Sequence, residues 1–267
     1  MDIKRITSAL LGFPIVLVIL LIGNKYVVDV ALAIIAIFAI DEYFNAVSKV
    51  SKPVKWLGYV SCSSIALIHV VPQESLNIIV VLTVPTILVV LFTQVIVTDM
   101  KTNFRDVAYT FVGIFYIVFF MMFIAFLNGT ENGKILVWYA ILAAWGTDLF
   151  AYVVGKYFGK HKFSKVSPKK SIEGCIAGTI SAVLLMLLYT YVVNTYFSMN
   201  YSYLYVAMIG VVLSILGQIG DFAASSIKRF VNIKDYSNLI PGHGGMLDRI
   251  DSLLFLAPFA YALLRMM

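Results

Sequence analysis

The stretch Val107–Leu127, VAYTFVGIFYIVFFMMFIAFL, runs for 21 residues without an Asp, Glu, Lys, Arg or His. About 20 mostly apolar residues suffice to cross the hydrocarbon core of a bilayer. In lipid every backbone N–H and C=O must pair within the segment, so such a stretch is helical. Lys101 and Arg105 precede it, and Asn128-Gly129-Thr130 follows. Working outward, the same pattern recurs at Ile6–Ile22, Val27–Ile40, Trp56–Val71 and Ile78–Val97, then at Ile135–Val154, Ile176–Val193, Tyr203–Ile219 and Leu253–Leu264. The composition of all 267 residues agrees, with 61% hydrophobic and 13% charged residues, against about 45–50% and 25% in soluble domains. The sequence therefore predicts an all-α, polytopic integral membrane protein of about nine transmembrane helices and excludes a soluble globular domain. Cys62 and Cys175 lie in separate apolar runs and predict neither a disulfide framework nor a zinc site.

The cations set the topology. With the amino terminus cytoplasmic, 17 of the 20 Lys and Arg residues fall on the inner side and only Lys25, Lys134 and Arg265 on the outer. The first run follows Lys4 and Arg5 but leads into no small-residue cleavage site, so it reads as a retained span rather than a signal peptide. The segment Asp41–Lys55 mixes aromatic and cationic residues as an interfacial helix would. Residues 1–134 form an amino-terminal membrane region of about five spans. Residues 135–267 form a carboxyl-terminal region with two polar cytoplasmic loops, 155–174 and 220–252, at the plasma (inner) membrane.

Chemistry concentrates in those loops. The first holds Lys156, Lys160, Lys162, Lys165, Lys169 and Lys170 with no acid before Glu173, a cationic surface suited to polyphosphate or anionic head groups. Lys169 and Lys170 lie between Pro168 and Ser171, just before a predicted helix start that favours an anion. In the second, continuation of the helix past Asp221 would align Asp221, Ser225 and Lys228 at i, i+4 and i+7 on one face, followed by Arg229. Further on, Gly242-His243-Gly244-Gly245 lets the backbone approach a ligand closely and turn its amides toward an anion. Asp248, Arg249 and Asp251 then open the last helix, and Asp148 approaches the inner end of the sixth span. Ionisable groups at such depths tend to be paired, metal-bound or functional.

Carboxylates among cations beside a glycine-rich turn suit a magnesium-like ion holding phosphates, since that ion takes one or two carboxylates plus substrate oxygens. Asp221 and Asp248 are the acids best placed for it. His69, His161 and His243 are scattered, which leaves zinc and haem without support, and no Walker-type loop is present. A secondary transporter fits the composition, but neither an internal repeat nor paired broken helices accompany it. An enzyme moving phosphoalcohols from CDP-lipids is the other alternative, and its Asp-Gly and Ala-Arg pattern is absent. The small-residue stripe Gly210, Ser214 and Gly217 permits a close helix contact, within the chain or across a dimer.

The pattern Ser225-Ser226-Ile227-Lys228-Arg229, Lys234-Asp235, Ser237, Ile240-Pro241, His243-Gly244-Gly245-Met246, Asp248-Arg249-Ile250-Asp251 resembles the signature of the phosphatidate cytidylyltransferase family, also called CDP-diacylglycerol synthases. Asp148, Ala151-Tyr152, Gly155-Lys156, Phe158-Gly159 and Ser167-Pro168-Lys169-Lys170-Ser171, Glu173-Gly174 agree with accompanying patterns of that family. The resemblance covers about the carboxyl-terminal half. It implies joining of CTP to phosphatidic acid with magnesium, giving CDP-diacylglycerol and pyrophosphate, in membrane lipid, by a homodimer, with no nucleic acid partner. Asp221, Asp248, Lys228 and Arg249 then become catalytic candidates, with Asp221 and Asp248 as metal ligands. Lys169, Lys170, Ser225, Arg229, His243, Gly244, Gly245, Asp148 and Asp251 become substrate-binding candidates.

Overall fold

The computed structural model describes residues 14, 16–164, 167, 170–240, 242 and 244–267. Among them the chain is helical, broken only by turns and the isolated bridges Lys162↔Ser171 and Ile240↔Gly244. The first expected span lies largely outside the described residues, and its part from 16 to 22 is helical. Beyond it come α1 (Lys25–Val47), α2 (Lys55–Leu67), α3 (Gln73–Val97), α4 (Phe104–Asn128), α5 (Gly133–Phe158), α6 (Ile172–Tyr196), α7 (Tyr203–Phe230) and α8 (Leu247–Leu264). Among the described residues α3, α4, α5, α6 and α7 are long and apolar enough to cross a membrane.

The chain divides into two compact units. One comprises the described residues up to Gly129 together with Val231–Arg249, and the other comprises Thr130–Phe230 and Ile250–Met267. The sequence places 231–249 with the carboxyl-terminal half, but in space this segment packs with the amino-terminal helices.

In the first unit α1 begins at Asn24, whose side chain accepts the Val27 N–H at 3.0 Å, a cap that satisfies an otherwise orphaned donor. It continues unbroken to Val47, so residues 41–47 are not the separate interfacial helix expected. Burial of Glu42, Tyr43, Phe44, Ala46 and Val47 holds them in α1. Tyr43 donates to the Tyr109 carbonyl at 3.1 Å, and its ring abuts Gly113, where a Cβ would stand 2.5 Å from Tyr43 Cε1. Residues Ile114–Phe119 of α4 then take π-helical form.

In the second unit α5, α6 and α7 pack on one another. Hydroxyl and amide groups bind them together, with Thr147 Oγ1 donating to Ser214 Oγ at 2.7 Å, Ser214 Oγ to Thr179 Oγ1 at 3.1 Å, and Gln218 Nε2 to Thr179 Oγ1 at 3.0 Å. Such bonds hold helices together in lipid, where burial of apolar surface drives little. The stripe of small residues is used within the chain: Gly210 faces Val183 and Met186 of α6, and Gly217 faces Ser252 and Leu256 of α8. Ile176, Ile180, Leu184 and Leu188, at every fourth position of α6, are exposed and form a lipid-facing stripe.

Candidate active site

In the second unit, α7 continues past Asp221 to Phe230, well beyond the Ile219 end expected from hydropathy. Ala224, Ser225 and Lys228 are buried along that extension, which explains why its polar residues stay helical. Asp221, Ser225 and Lys228 therefore share a face, and Ser225 Oγ donates to Asp221 Oδ1 at 3.4 Å. Lys170, just ahead of α6, forms an ion pair with the Asp221 carboxylate. Its ammonium also lies 4.4 Å from the centroid of the Phe222 ring, which stacks on Phe163 at 4.8 Å. Phe163 and Phe222 escaped the sequence reading, because an aromatic in an apolar sequence carries no signal of its own.

Local bonds shape the lysine loop. Ser171 caps α6 by accepting the Gly174 N–H at 3.1 Å, Ile172 N–H donates to the His161 carbonyl at 2.9 Å, and Phe163 N–H to the Lys170 carbonyl at 3.1 Å. Glu173 pairs with His161 Nδ1 at 2.6 Å, and among the described residues no ion pair joins it to a lysine. Gly159 is required here, because a Cβ would stand 2.5 Å from Ser171 Oγ. Lys165 and Lys169 lie outside the described residues.

Asp148 and Asp251 belong to the same surroundings. Ser252 Oγ donates to Asp148 Oδ1 at 3.1 Å, and Ser252 N–H donates to Asp251 Oδ1 at 2.8 Å. The Asp251 carboxyl lies within electrostatic reach of Asp221, Asp148 and Lys228. Lys228 is only 8% exposed. Gly220 allows α8 to approach, since a Cβ there would stand 2.6 Å from the Asp251 carbonyl oxygen and 2.8 Å from Phe255 Cβ. Arg229 is exposed at the end of α7.

The first unit holds the glycine-rich turn. Ile240 and Gly244 exchange backbone hydrogen bonds of 2.9 and 3.1 Å. Gly244 has φ +88°, a conformation that side chains resist. Asp248 Oδ2 accepts the N–H groups of Tyr236 at 2.9 Å and Gly245 at 3.0 Å. Glu42, unmarked by its local sequence, fixes this turn to α1: it accepts from Ser237 Oγ at 2.6 Å and from the N–H groups of Met246 and Leu247 at 2.8 Å. Gly245 leaves room for it, as a Cβ would stand 2.4 Å from Glu42 Oε2. Arg249 is exposed, and His243 lies outside the described residues.

Among the described residues no three His, Cys, Asp or Glu side chains are grouped so as to hold a metal by themselves. In the second unit, Asp148, Asp221 and Asp251 nevertheless outnumber the lysines Lys170 and Lys228 beside them. Excess carboxylate of this kind fits a divalent ion that draws its remaining oxygens from phosphate and water.

The sequence profile of the cytidylyltransferase family matches residues 3–267. The chain is 33% identical over 266 residues to the phosphatidate cytidylyltransferase of Staphylococcus aureus (strain COL), covering 97% of this chain and 98% of that protein. It is 31% identical over 267 residues to the phosphatidate cytidylyltransferase of Staphylococcus haemolyticus (strain JCSC1435), with the same coverage. Identity to the phosphatidate cytidylyltransferase of Bacillus subtilis (strain 168) is 37% over 176 residues, 65% of this chain and 64% of that protein.

Proposed function

Because the chain belongs to the cytidylyltransferase family, we propose that it transfers a cytidylyl group from CTP to phosphatidic acid, releasing pyrophosphate and forming CDP-diacylglycerol for phospholipid synthesis. The observation that carries this reading is the Lys170–Asp221 ion pair, set beside Ser225, Lys228, Asp148 and Asp251 at one end of α5, α6 and α7. It brings cations and carboxylates together around a site for phosphate groups.

That combination suits the reaction. A phosphomonoester is already largely ionised near pH 7, its second pKa being about 6, so the lipid phosphate needs no general base. One of its oxygens bonds to the α-phosphorus of CTP while the bond from that phosphorus to the bridging oxygen breaks, and the electron pair leaves on pyrophosphate. The obstacle is repulsion between two polyanions, which alignment and fixed cations overcome. Lys169 and Lys170 hold the triphosphate. Lys228, Arg229 and Arg249 take phosphate groups of nucleotide or lipid, and His243 contributes a further donor; Gly244 and Gly245, whose own N–H groups are engaged by the Ile240 carbonyl and Asp248, serve by letting the backbone lie close to the substrate. Ser225 and Asp251 orient Asp221 and Lys228, and Asp148 is held by Ser252 for the same purpose.

We assign magnesium to Asp221 and Asp248, on the carboxylate excess around the first and the fixed turn beside the second. A bound magnesium ion would neutralise phosphate charge during the displacement. The charge asymmetry of the sequence supports nine spans with the amino terminus and both large loops cytoplasmic, in the plasma membrane, where soluble CTP meets a bilayer-held lipid. Residues 135–267 supply most of the chemistry and residues 1–134 the membrane scaffold, and family resemblance supports a homodimer. The test is pyrophosphate release from CTP by the purified protein in detergent. Release that requires both phosphatidic acid and magnesium is the expected result, and release indifferent to the lipid overturns the reading.

A further inference from the structure

In the first unit, the link between α1 and α2 and the link between α3 and α4 border an open polar cavity of about 590 Å³, lined by Lys49, Lys52, Lys101, Asn103, Arg105 and Asp106 among others. The walls are fixed by hydrogen bonds. Asp106, 1% exposed, accepts the Lys52 N–H on Oδ1 at 2.6 Å and the Asn103 N–H on Oδ2 at 3.0 Å. Asn103 Oδ1 accepts the N–H groups of Arg105 and Asp106, and Val54 N–H donates to Thr110 Oγ1 at 2.8 Å. The carboxylate at the cavity is thus engaged by the backbone. Lys49, Lys52, Lys101 and Arg105 enter none of the ion pairs found among the described residues. Four like charges around one cavity repel each other, and the positive end of α4 adds to their field. A bound anion relieves both.

The rim decides what kind of anion. Met100 and Phe104, which directly precede Lys101 and Arg105 in the chain, are 75% and 71% exposed, and Ile96 and Val97 at the end of α3 are exposed as well. Only 6% of the apolar stretch of α3 is buried, so apolar surface runs from the cavity rim along the helix. A soluble phosphate uses none of that surface, whereas a phospholipid uses cavity and helix together.

We propose that this cavity binds the phosphate of an anionic phospholipid, with its acyl chains along α3, at a site built from residues other than those of the Lys170–Asp221 cluster. A phosphomonoester head group, with a charge of about −1.5 to −2, binds it more tightly than a phosphodiester.

Native mass spectrometry of the full chain in detergent tests this, with dioleoylphosphatidylglycerol as the main probe. That lipid has no free phosphomonoester to react with CTP, so its retention is read without turnover, and the cavity variants assign the retention to this site. We expect the protein to retain dioleoylphosphatidylglycerol but not dioleoylphosphatidylcholine. Joint replacement Lys49→Gln, Lys52→Gln, Lys101→Gln and Arg105→Gln is expected to weaken retention about tenfold or more. Replacing Lys25, Lys55, Lys134 and Arg265 by Gln removes the same charge elsewhere and is expected to change it less than twofold. CTP turnover by the first variant in detergent verifies folding. Should that variant be inactive, the pairs Lys49→Gln with Lys52→Gln and Lys101→Gln with Arg105→Gln are measured separately, each expected to lose at least threefold. Equal retention by the cavity and control variants overturns the proposal. So does displacement of the lipid by millimolar inorganic phosphate, which would identify a site for soluble anions.

Discussion

Glu42 Oε2 accepts the backbone N–H of Leu247 at 2.8 Å, across 205 positions of sequence, while Oε1 accepts Met246 N–H and Ser237 Oγ. A single carboxylate of α1 therefore fixes the turn that leads into Asp248 and Arg249. Glu42→Ala leaves two backbone donors without their acceptor, at a cost of about 1–3 kcal/mol for each buried group. We expect a lower melting temperature and at least tenfold lower kcat, with Glu42→Gln intermediate in both. Steady-state kinetics and thermal denaturation in detergent check this. Unchanged kcat in Glu42→Ala would show that the turn holds its shape without the carboxylate.

Asp221→Asn removes the charge partner of Lys170 and one of the carboxylates assigned to magnesium. Turnover is expected to fall at least a hundredfold with protein yield unchanged, and Asp248→Asn to do the same. Pyrophosphate release measured across a magnesium titration decides the matter for each residue, and near-normal activity at saturating magnesium removes that residue from the assignment.

Among the described lysines of the loop, Lys170 is set apart by its ion pair with Asp221 and its contact with the Phe222 ring. Lys170→Ala is expected to raise the KM for CTP at least tenfold, and Lys169→Ala to act in the same direction. Lys156→Ala and Lys162→Ala, at exposed positions, are expected to change it less than twofold. Equal effects from all four would mean that the loop acts only through its total charge.

Two glycines are expected to resist substitution for steric reasons. In Gly245→Ala the new Cβ stands 2.4 Å from Glu42 Oε2, and in Gly220→Ala it stands 2.6 Å from the Asp251 carbonyl oxygen. The second contact is with backbone, which cannot rotate away, so Gly220→Ala should be the more damaging. A loss of about 1–3 kcal/mol is typical of overpacking, and thermal denaturation of both variants measures it. A melting temperature equal to that of the unaltered protein would show that α7 and α8 can separate at little cost.

The proposed topology places both large loops in the cytoplasm. Cysteines introduced at Ser164 and Asn238, with Cys62 and Cys175 replaced by Ala, should resist an impermeant thiol reagent in intact cells and react once the membrane is opened. Labelling of either position in sealed cells would reverse the orientation.

The all-helical class and the long apolar segments that became α3 to α7 were legible in the sequence, because a bilayer imposes a length and a hydropathy that any chain crossing it must display. The alignment of Asp221, Ser225 and Lys228 was also legible, since helical periodicity alone puts residues four and seven apart on one face. Other features depended on tertiary structure. Hydropathy ended the eighth span at Ile219, yet α7 runs on to Phe230 because Ala224, Ser225 and Lys228 are buried by packing that local composition does not encode. Six lysines in one loop look alike in sequence, and only folding joins Lys170 to Asp221. Glu42 had no local mark, since it stands in an ordinary helical stretch and its donors lie about two hundred residues away. Periodicity reports which face of its own helix a residue occupies, whereas the partner met on that face is set by packing between segments distant in the chain.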